Sequence, residues 1–307
     1  MGQLFGRTCT LTLGTTQIKV AVASSASANA AAGPEQNGGL ALTFRVKKNL
    51  KPEPNTVDIK VWNLSPNTRL SLENPAKFVA VSGLALVPGS GKSAPQYVPV
   101  ILEVGYAGEN HTIYVGQLRN ATSEIDGPNI ITTLSSGDSE QAFAAQRVKF
   151  TAPAQASPQT LLSTAAAAVG VGSGNLTQAL GGAVAGTGGP ARVFFGSASK
   201  VLSEHARSNG MQWSVQDGAI QMLPIGQSVG ATAVLLSSAS GLIGSPSIDS
   251  KGVVKCEALI QPGLTPGLPI VIQSANLQGA FRVEDVEYNG ATWGPQWTAT
   301  IHAKKWA

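Results

Sequence analysis

A chain of 307 residues, 43% hydrophobic and only 12% charged, is long enough for two or three domains and carries about half the charge of a typical soluble protein, roughly 25%. Such a composition implies an outer surface largely covered by partners, or else one kept wet by Ser, Thr and Gly. A net charge of +4 falls short of the dense Lys/Arg patterning of a nucleic-acid reader, and two distant cysteines with three histidines exclude a disulfide framework and a zinc signature.

Residues 1–6 lack the basic-then-apolar order of a signal peptide, and Gly6 stands where myristoylation needs Ser or Thr. A soluble chain made in the cytoplasm, without a membrane anchor, is expected. Residues 8–13 then alternate, with Cys9, Leu11 and Leu13 on one face, and Ile18, Val20 and Val22 repeat the pattern. The span 55–64 shows it best: Val57, Ile59 and Val61 face one way, Asp58 and Lys60 the other, which is the period of a half-buried antiparallel strand. Arg45, Lys47, Lys48 and Lys51 cluster at the end of a strand-like run, as a solvated strand end or a DNA-facing patch. Val98 to Tyr106 forms another strand, with Pro99 at its start or on an edge because it cannot donate to a ladder. Strands over 113–118 and 130–134 follow. Regular strands with turn signals imply a barrel or sandwich. Two long loops, 24–39 and 83–96, are candidates for reaching a neighbouring subunit.

The middle changes character. A short helix is expected over 139–146, and a stronger one over 158–169, with Ser157 as N-cap and Pro158 in the first position. Residues 170–189 are Gly/Ala-rich and of low complexity. A compact α+β unit follows: strand 192–195, helix 198–208, strand 211–215, an Asp217-Gly218 hairpin turn and strand 219–223. The last third returns to strands, around Val254 to Ile260, Ile270 to Ile272, Phe281 to Tyr288 and Trp297 to Ile301. Phe281 and Val283 share one parity and Val286 and Tyr288 the other, so a bulge is expected near Glu284-Asp285.

No chemistry survives inspection. Gly89-Ser90-Gly91-Lys92-Ser93 lacks the upstream glycine of a phosphate-binding loop, and Pro95 prevents a following helix. His205 falls at the core edge of its helix, His302 alternates away from the apolar residues of its strand, and His111 is placed in a turn. Cys9 and Cys256 lie on apolar faces and read as buried thiols. No cofactor, metal or catalytic residue is expected.

The run Phe44-Arg45-Val46-Lys47-Lys48, then Val57 to Trp62 followed by Asn63-Leu64-Ser65-Pro66, resembles the N-terminal barrel of phage baseplate hub proteins. So do Val104-Gly105-Tyr106 and Ile113-Tyr114-Val115-Gly116, and in the last third Gly241 to Pro246, Leu259 to Pro269 and Phe281-Arg282-Val283 with Trp297. The resemblance implies a mainly β fold with a smaller α+β part: a tube-like β-barrel over 1–138, an α+β domain over 139–228 and a second tube-like barrel over 229–307. It implies a non-enzymatic homotrimer that joins a hexameric tail tube, or tube-initiator proteins, to a central spike. The trimer would line the DNA channel at the centre of a baseplate, with the tape-measure protein as a further neighbour; the hub resembled is that of contractile tails, and non-contractile tails have hubs built from the same barrels. Lys47, Lys48 and Lys51 are then candidates to face the lumen and its DNA, and Val87, Pro88, Lys92, Trp62 and His302 to make inter-subunit contacts. The alternatives are another tail structural role, such as a tube protein, tube initiator or siphophage distal-tail hub, and a tail-associated cell-wall hydrolase.

Overall fold

The computed structural model describes residues 6–14, 16–21, 40–73, 98–106, 109–139, 143, 146–183, 190–230, 232–261 and 263–305. Strands take 54% of these residues and helices 17%, so the class is mainly β. The chain first lays down β1 (Arg7–Leu13), β2 (Thr16–Ala21), β3 (Leu42–Asn49), β4 (Thr56–Trp62), α1 (Pro66–Glu73), β5 (Pro99–Tyr106), β6 (Glu109–Asp126) and β7 (Asn129–Gly137). A mixed unit follows, with β8 (Arg147–Ala152), α2 (Pro158–Val169), α3 (Leu176–Ala183), β9 (Arg192–Ser197), α4 (Ala198–Ser208), β10 (Met211–Gln216) and β11 (Ala219–Pro224). The last part is all strand: β12 (Val234–Ser237), β13 (Leu242–Ile248), β14 (Val253–Leu259), β15 (Pro269–Gln273), β16 (Gln278–Ala291) and β17 (Trp297–Lys304).

The first and last strand sets form one sheet of 13 strands, ordered β13-β14-β17-β16-β3-β4-β7-β6-β5-β1-β2, with β15 on β16 and β12 on β15. The join is the antiparallel pair β16–β3, in register from Asp285↔Asn49 to Ala291↔Thr43. Among the described residues neither strand set closes into a barrel. Burial follows the alternation. In β4, Val57, Ile59 and Val61 are buried while Asp58 and Lys60 are exposed, as a strand with one face on a core requires. One core holds residues of both ends of the chain, Leu11, Val57 and Leu134 with Val254, Val286 and Trp297. A second core, with Leu162, Leu202, Trp213 and Met222, belongs to the mixed unit.

Local signals explain the element ends. Ser157 caps α2 by accepting from Thr160 N at 3.1 Å, with Pro158 next, and Gly170 at φ 77 ends the helix. Asp217 (φ 53) and Gly218 (φ 80) form the two-residue turn of the β10–β11 hairpin, and both positive φ values are what a type I′ turn needs. The segment Asn63-Leu64-Ser65-Pro66 has the same logic: Asn63 takes φ 56 and its side-chain oxygen accepts from Ile130 N, Leu64 is buried, and Ser65 Oγ accepts from Thr68 N at the start of α1. The expected bulge is present, as a register shift between Val283 and Asp285 where β16 meets β17.

Three features differ from expectation. Helix α3 lies inside the stretch that reads as low complexity, because Leu176 and Leu180 bury against the second core. Strand β8 is absent from the expected elements although Arg147 to Ala152 alternate polar and apolar residues with burial to match, and it pairs antiparallel with β9. His111 sits within β6, exposed, rather than in a turn, because the strand already begins at Glu109. The helix expected over 139–146 and the loops over 24–39 and 83–96 fall largely or wholly outside the described residues. Cys9 and Cys256 are buried, and burial raises their thiols to about 12 and about 11.

Candidate functional site

Two groups of side chains meet where β16 joins β3. The first lies on the polar face of the sheet. Arg45 points outward from β3 and grips Glu287 of β16 with two bonds, Nε to Oε1 at 2.7 Å and Nη2 to Oε2 at 3.0 Å. Lys47 Nζ stands 4.0 Å from the same carboxylate. Burial pushes the Glu287 carboxyl up, but hydrogen bonds from Arg45 and Asn289 and the charges of Arg45 and Lys47 outweigh it and hold the group below its usual range. Further along, His302 Nδ1 lies 2.6 Å from Asp285 Oδ1, beside the bulge. The rows Lys47↔Glu287↔Thr300↔Glu257 and Asn49↔Asp285↔His302↔Lys255 cross four strands without interruption. This face is polar and of mixed sign, and it offers wettable surface rather than reactive groups.

The second group is a buried seam between the sheet and the β10–β11 hairpin. Lys48 is next to Lys47 in sequence but faces inward, with 2% of its surface exposed. It donates to Asp217 Oδ2 at 2.7 Å and to the Ile113 carbonyl at 3.3 Å. Asn55, at the entry to β4, donates to the Val215 carbonyl at 2.7 Å and to Gln216 Oε1 at 3.3 Å, and accepts from Asn49 N. Gln216 returns a bond to the Asn49 carbonyl at 2.8 Å. Asp138, at the exit from β7, accepts from Gly218 N and Ser139 Oγ, each at 3.0 Å. Burial raises the Asp138 carboxyl to about 6: the nearby Asp217 adds to the rise, while the bond from Ser139, the charge of Lys48 and the bond from Gly218 oppose it. A cation this deeply buried is retained only when paired and hydrogen-bonded, so Lys48 is a joint of the fold. Arg282 is a second joint: 7% exposed, it pairs with Glu284 and donates to the Gln227 carbonyl at 2.8 Å, tying the exit of the mixed unit to β16.

The residues singled out from sequence therefore part company. Lys47 and Lys51 are exposed, with side chains 51% and 76% accessible. Lys48 does not share their surface, and its expected place facing a lumen is corrected, because the period of the strand turns every second residue of β3 into the core. Trp62 is half-buried and meets Trp293 edge-on, 4.6 Å between ring centres. His302 is half-exposed beside Asp285. Val87, Pro88 and Lys92 lie outside the described residues. Sequence reasoning missed Asn55, Asp138 and Asp217 as a cluster. Asp217 was legible only as a turn residue, and nothing local marks the other two.

Among the described residues no group of three His, Cys, Asp or Glu side chains is placed to hold a metal, and no helix is long and apolar enough to cross a membrane. A cleft of about 310 Å³ opens beside the seam, between Gln117, Asp138, Gln146 and Gly172.

Comparison with known proteins gives three results. The family model described as Baseplate hub gp41 matches residues 18–302. Among solved structures, the chain is similar to the 43 kDa tail protein of prophage MuSo2 from Shewanella oneidensis, at 8% identity, 97% of each chain covered and a TM-score of 0.59. It is also similar to the tail protein from Neisseria meningitidis MC58, at 8% identity, 98% of each chain and 0.57. A third is the E. coli c3393 protein, a component of the type VI secretion system with structural similarity to the T4 tail proteins gp27 and gp5, at 9% identity, 97% of this chain, 77% of that one and 0.55. At such identities the likeness is one of fold. No curated protein sequence matches the chain.

Proposed function

The chain belongs to the baseplate hub gp41 family of phage tail proteins, and from that premise we propose that it is the non-enzymatic hub subunit of a contractile tail. In this reading three copies form a ring at the baseplate centre, joining the hexameric tail tube or its initiator to the central spike and surrounding the path of the DNA and of the tape-measure protein. The strand sets of 1–138 and 229–307 act as two tube-like units, and 139–228 is a peripheral unit held beside them. Six tube-like units from three chains would meet the sixfold tube, while the chain-level symmetry meets a threefold spike.

The observation that carries the proposal is the β16–β3 join. It sets the first and last strand sets side by side in one sheet with one core, so the two are presented as a rigid pair. A symmetry adaptor needs that pairing, and a tube protein with a single strand set does not. The polar face crossing the join supports a water-filled channel, since its charges are of both signs and paired, with Arg45, Lys47 and Lys51 among its exposed cations. Such a face stays hydrated without gripping the phosphate backbone. Trp62 with Trp293, and His302, are the proposed inter-subunit contacts among the described residues. An electron-microscopy reconstruction of the tail tip is the test. Three copies at the tube–spike junction are expected; six copies, or a position at the baseplate rim, would overturn the proposal.

A further inference from the structure

We infer that the tip of the β6–β7 hairpin in one copy of this chain docks on the outer face of the β8–β9 ribbon in a second copy. The inference rests on the oligomeric hub reading and names surfaces for it.

The ribbon is a two-stranded sheet of its own. Its inner face packs on the mixed unit, with Val148 buried and Phe150 and Phe194 stacked at 4.7 Å. Its outer face is left open. Val193 is 73% exposed and Phe195 74% exposed. Directly opposite them stand Thr151 and Lys149, with Arg147 at the end of the row, all exposed. The two strands contain no carboxylate. Large apolar side chains in a contiguous exposed strip, rimmed by one sign of charge, mark a protein contact rather than ordinary surface.

The hairpin tip has the matching chemistry. Ile125 is 80% exposed, flanked by the exposed Glu124 and Asp126, and no cation lies between Ala121 and Leu134. The turn Gly127-Pro128 offers no N–H at the proline, which disfavours edge pairing and leaves side-chain contact as the mode of docking. One copy cannot satisfy both surfaces. Strand β7 runs from Asn129 beside the tip to Gly137, and Asp138 then enters the seam that holds the mixed unit. Gln146, which leads into β8, lines the cleft at that far end. At about 3.3 Å per residue, β7 carries the chain nearly 30 Å from the tip before it reaches the seam and the cleft from which β8 sets out. Two different, complementary surfaces at opposite ends make a heterologous contact, which closes into a ring or runs on as a filament.

The test is site-directed cross-linking of the full chain. Cys9 and Cys256 are buried, so background disulfide formation is low. Ile125→Cys and Phe195→Cys variants are each expected to stay uncross-linked alone, to form covalent dimers when mixed, and, combined in one chain, to form covalent trimers under mild oxidation. Adding Glu124→Lys should cut the yield about tenfold through like-charge contact with Lys149, and Lys149→Glu in the same chain should restore it. A ladder extending past three would support the contact and overturn threefold closure. Cross-linking of either single variant alone, or none in any mixture while native mass spectrometry shows a trimer, would overturn the contact and leave the hub reading standing. A monomer by mass with no cross-link would overturn both.

Discussion

Neighbouring lysines in β3 have opposite fates, and the difference is the side of the pleat. Lys47 stays in water near Glu287, while Lys48 is drawn into the seam and held by Asp217. Asp138 shares that seam and shows its electrostatic cost. Its carboxyl, raised by burial to about 6 from 3.8, binds a proton more tightly in the fold than in the unfolded chain. The resulting stabilisation is complete below about pH 4 and is lost as the pH rises through about 6. Asp138→Asn, which mimics the protonated acid, should flatten the dependence of melting temperature on pH between 4 and 6.5. At pH 7 it should raise stability by about 1–2 kcal/mol, less than the full titration would yield because the bond that Asn55 Nδ2 donates to Asp138 Oδ2, at 3.4 Å, is given up. A variant as pH-sensitive as the wild type would show that another group titrates in this window. The alternation of β3 placed Lys48 beside Phe44 and Val46, so its burial was legible in the period. Its partner was not, because Asp217 is 169 positions away.

At the scale of elements, the join of β3 to β16 depends on a missing side chain. Gly290 lies opposite Phe44, and a Cβ added there would stand 2.2 Å from the Phe44 ring. The ring occupies that space and meets Trp297 edge-on at 5.5 Å. Gly290→Ala should therefore lower stability by about 1–3 kcal/mol through overpacking, read as a shift in the denaturant midpoint. Gly290→Ala with Phe44→Leu should recover part of it, and a silent Gly290→Ala would mean that the ring is free to move aside. Elements with strong local signals followed the sequence closely. Helix α2 begins after its Ser-Pro cap, α4 spans 198–208 as its periodicity predicts, and the β10–β11 turn falls on Asp-Gly. Two elements were not expected: α3, in a Gly/Ala-rich stretch, is ordered by Leu176 and Leu180 on the second core, and β8 alternates locally and pairs with β9.

Across the whole molecule there are two hydrophobic cores with a polar seam between them. Each core can melt separately in principle, and the seam couples them. Asn55 is its hub, since one amide serves the entry to β4 and two residues of the β10–β11 hairpin. Scanning calorimetry of the wild type should show one transition. Asn55→Ala leaves buried groups unpaired at about 1–3 kcal/mol each and should split it, with the mixed unit melting first. A single, uniformly shifted peak would show that the two cores cooperate through other contacts.

The sequence by itself determined the strand-rich class, the bulge in β16, the burial of both cysteines, the caps and turns, and the motifs that resemble the hub family. All of these are set by neighbours a few residues apart. Only the tertiary structure decided that the two ends of the chain share one sheet and one core, that Lys48 and Asp217 form its charged joint, and that Ile125 and Phe195 are left bare. Those features depend on which distant strands pair and in what register, and a period of two cannot specify the partner.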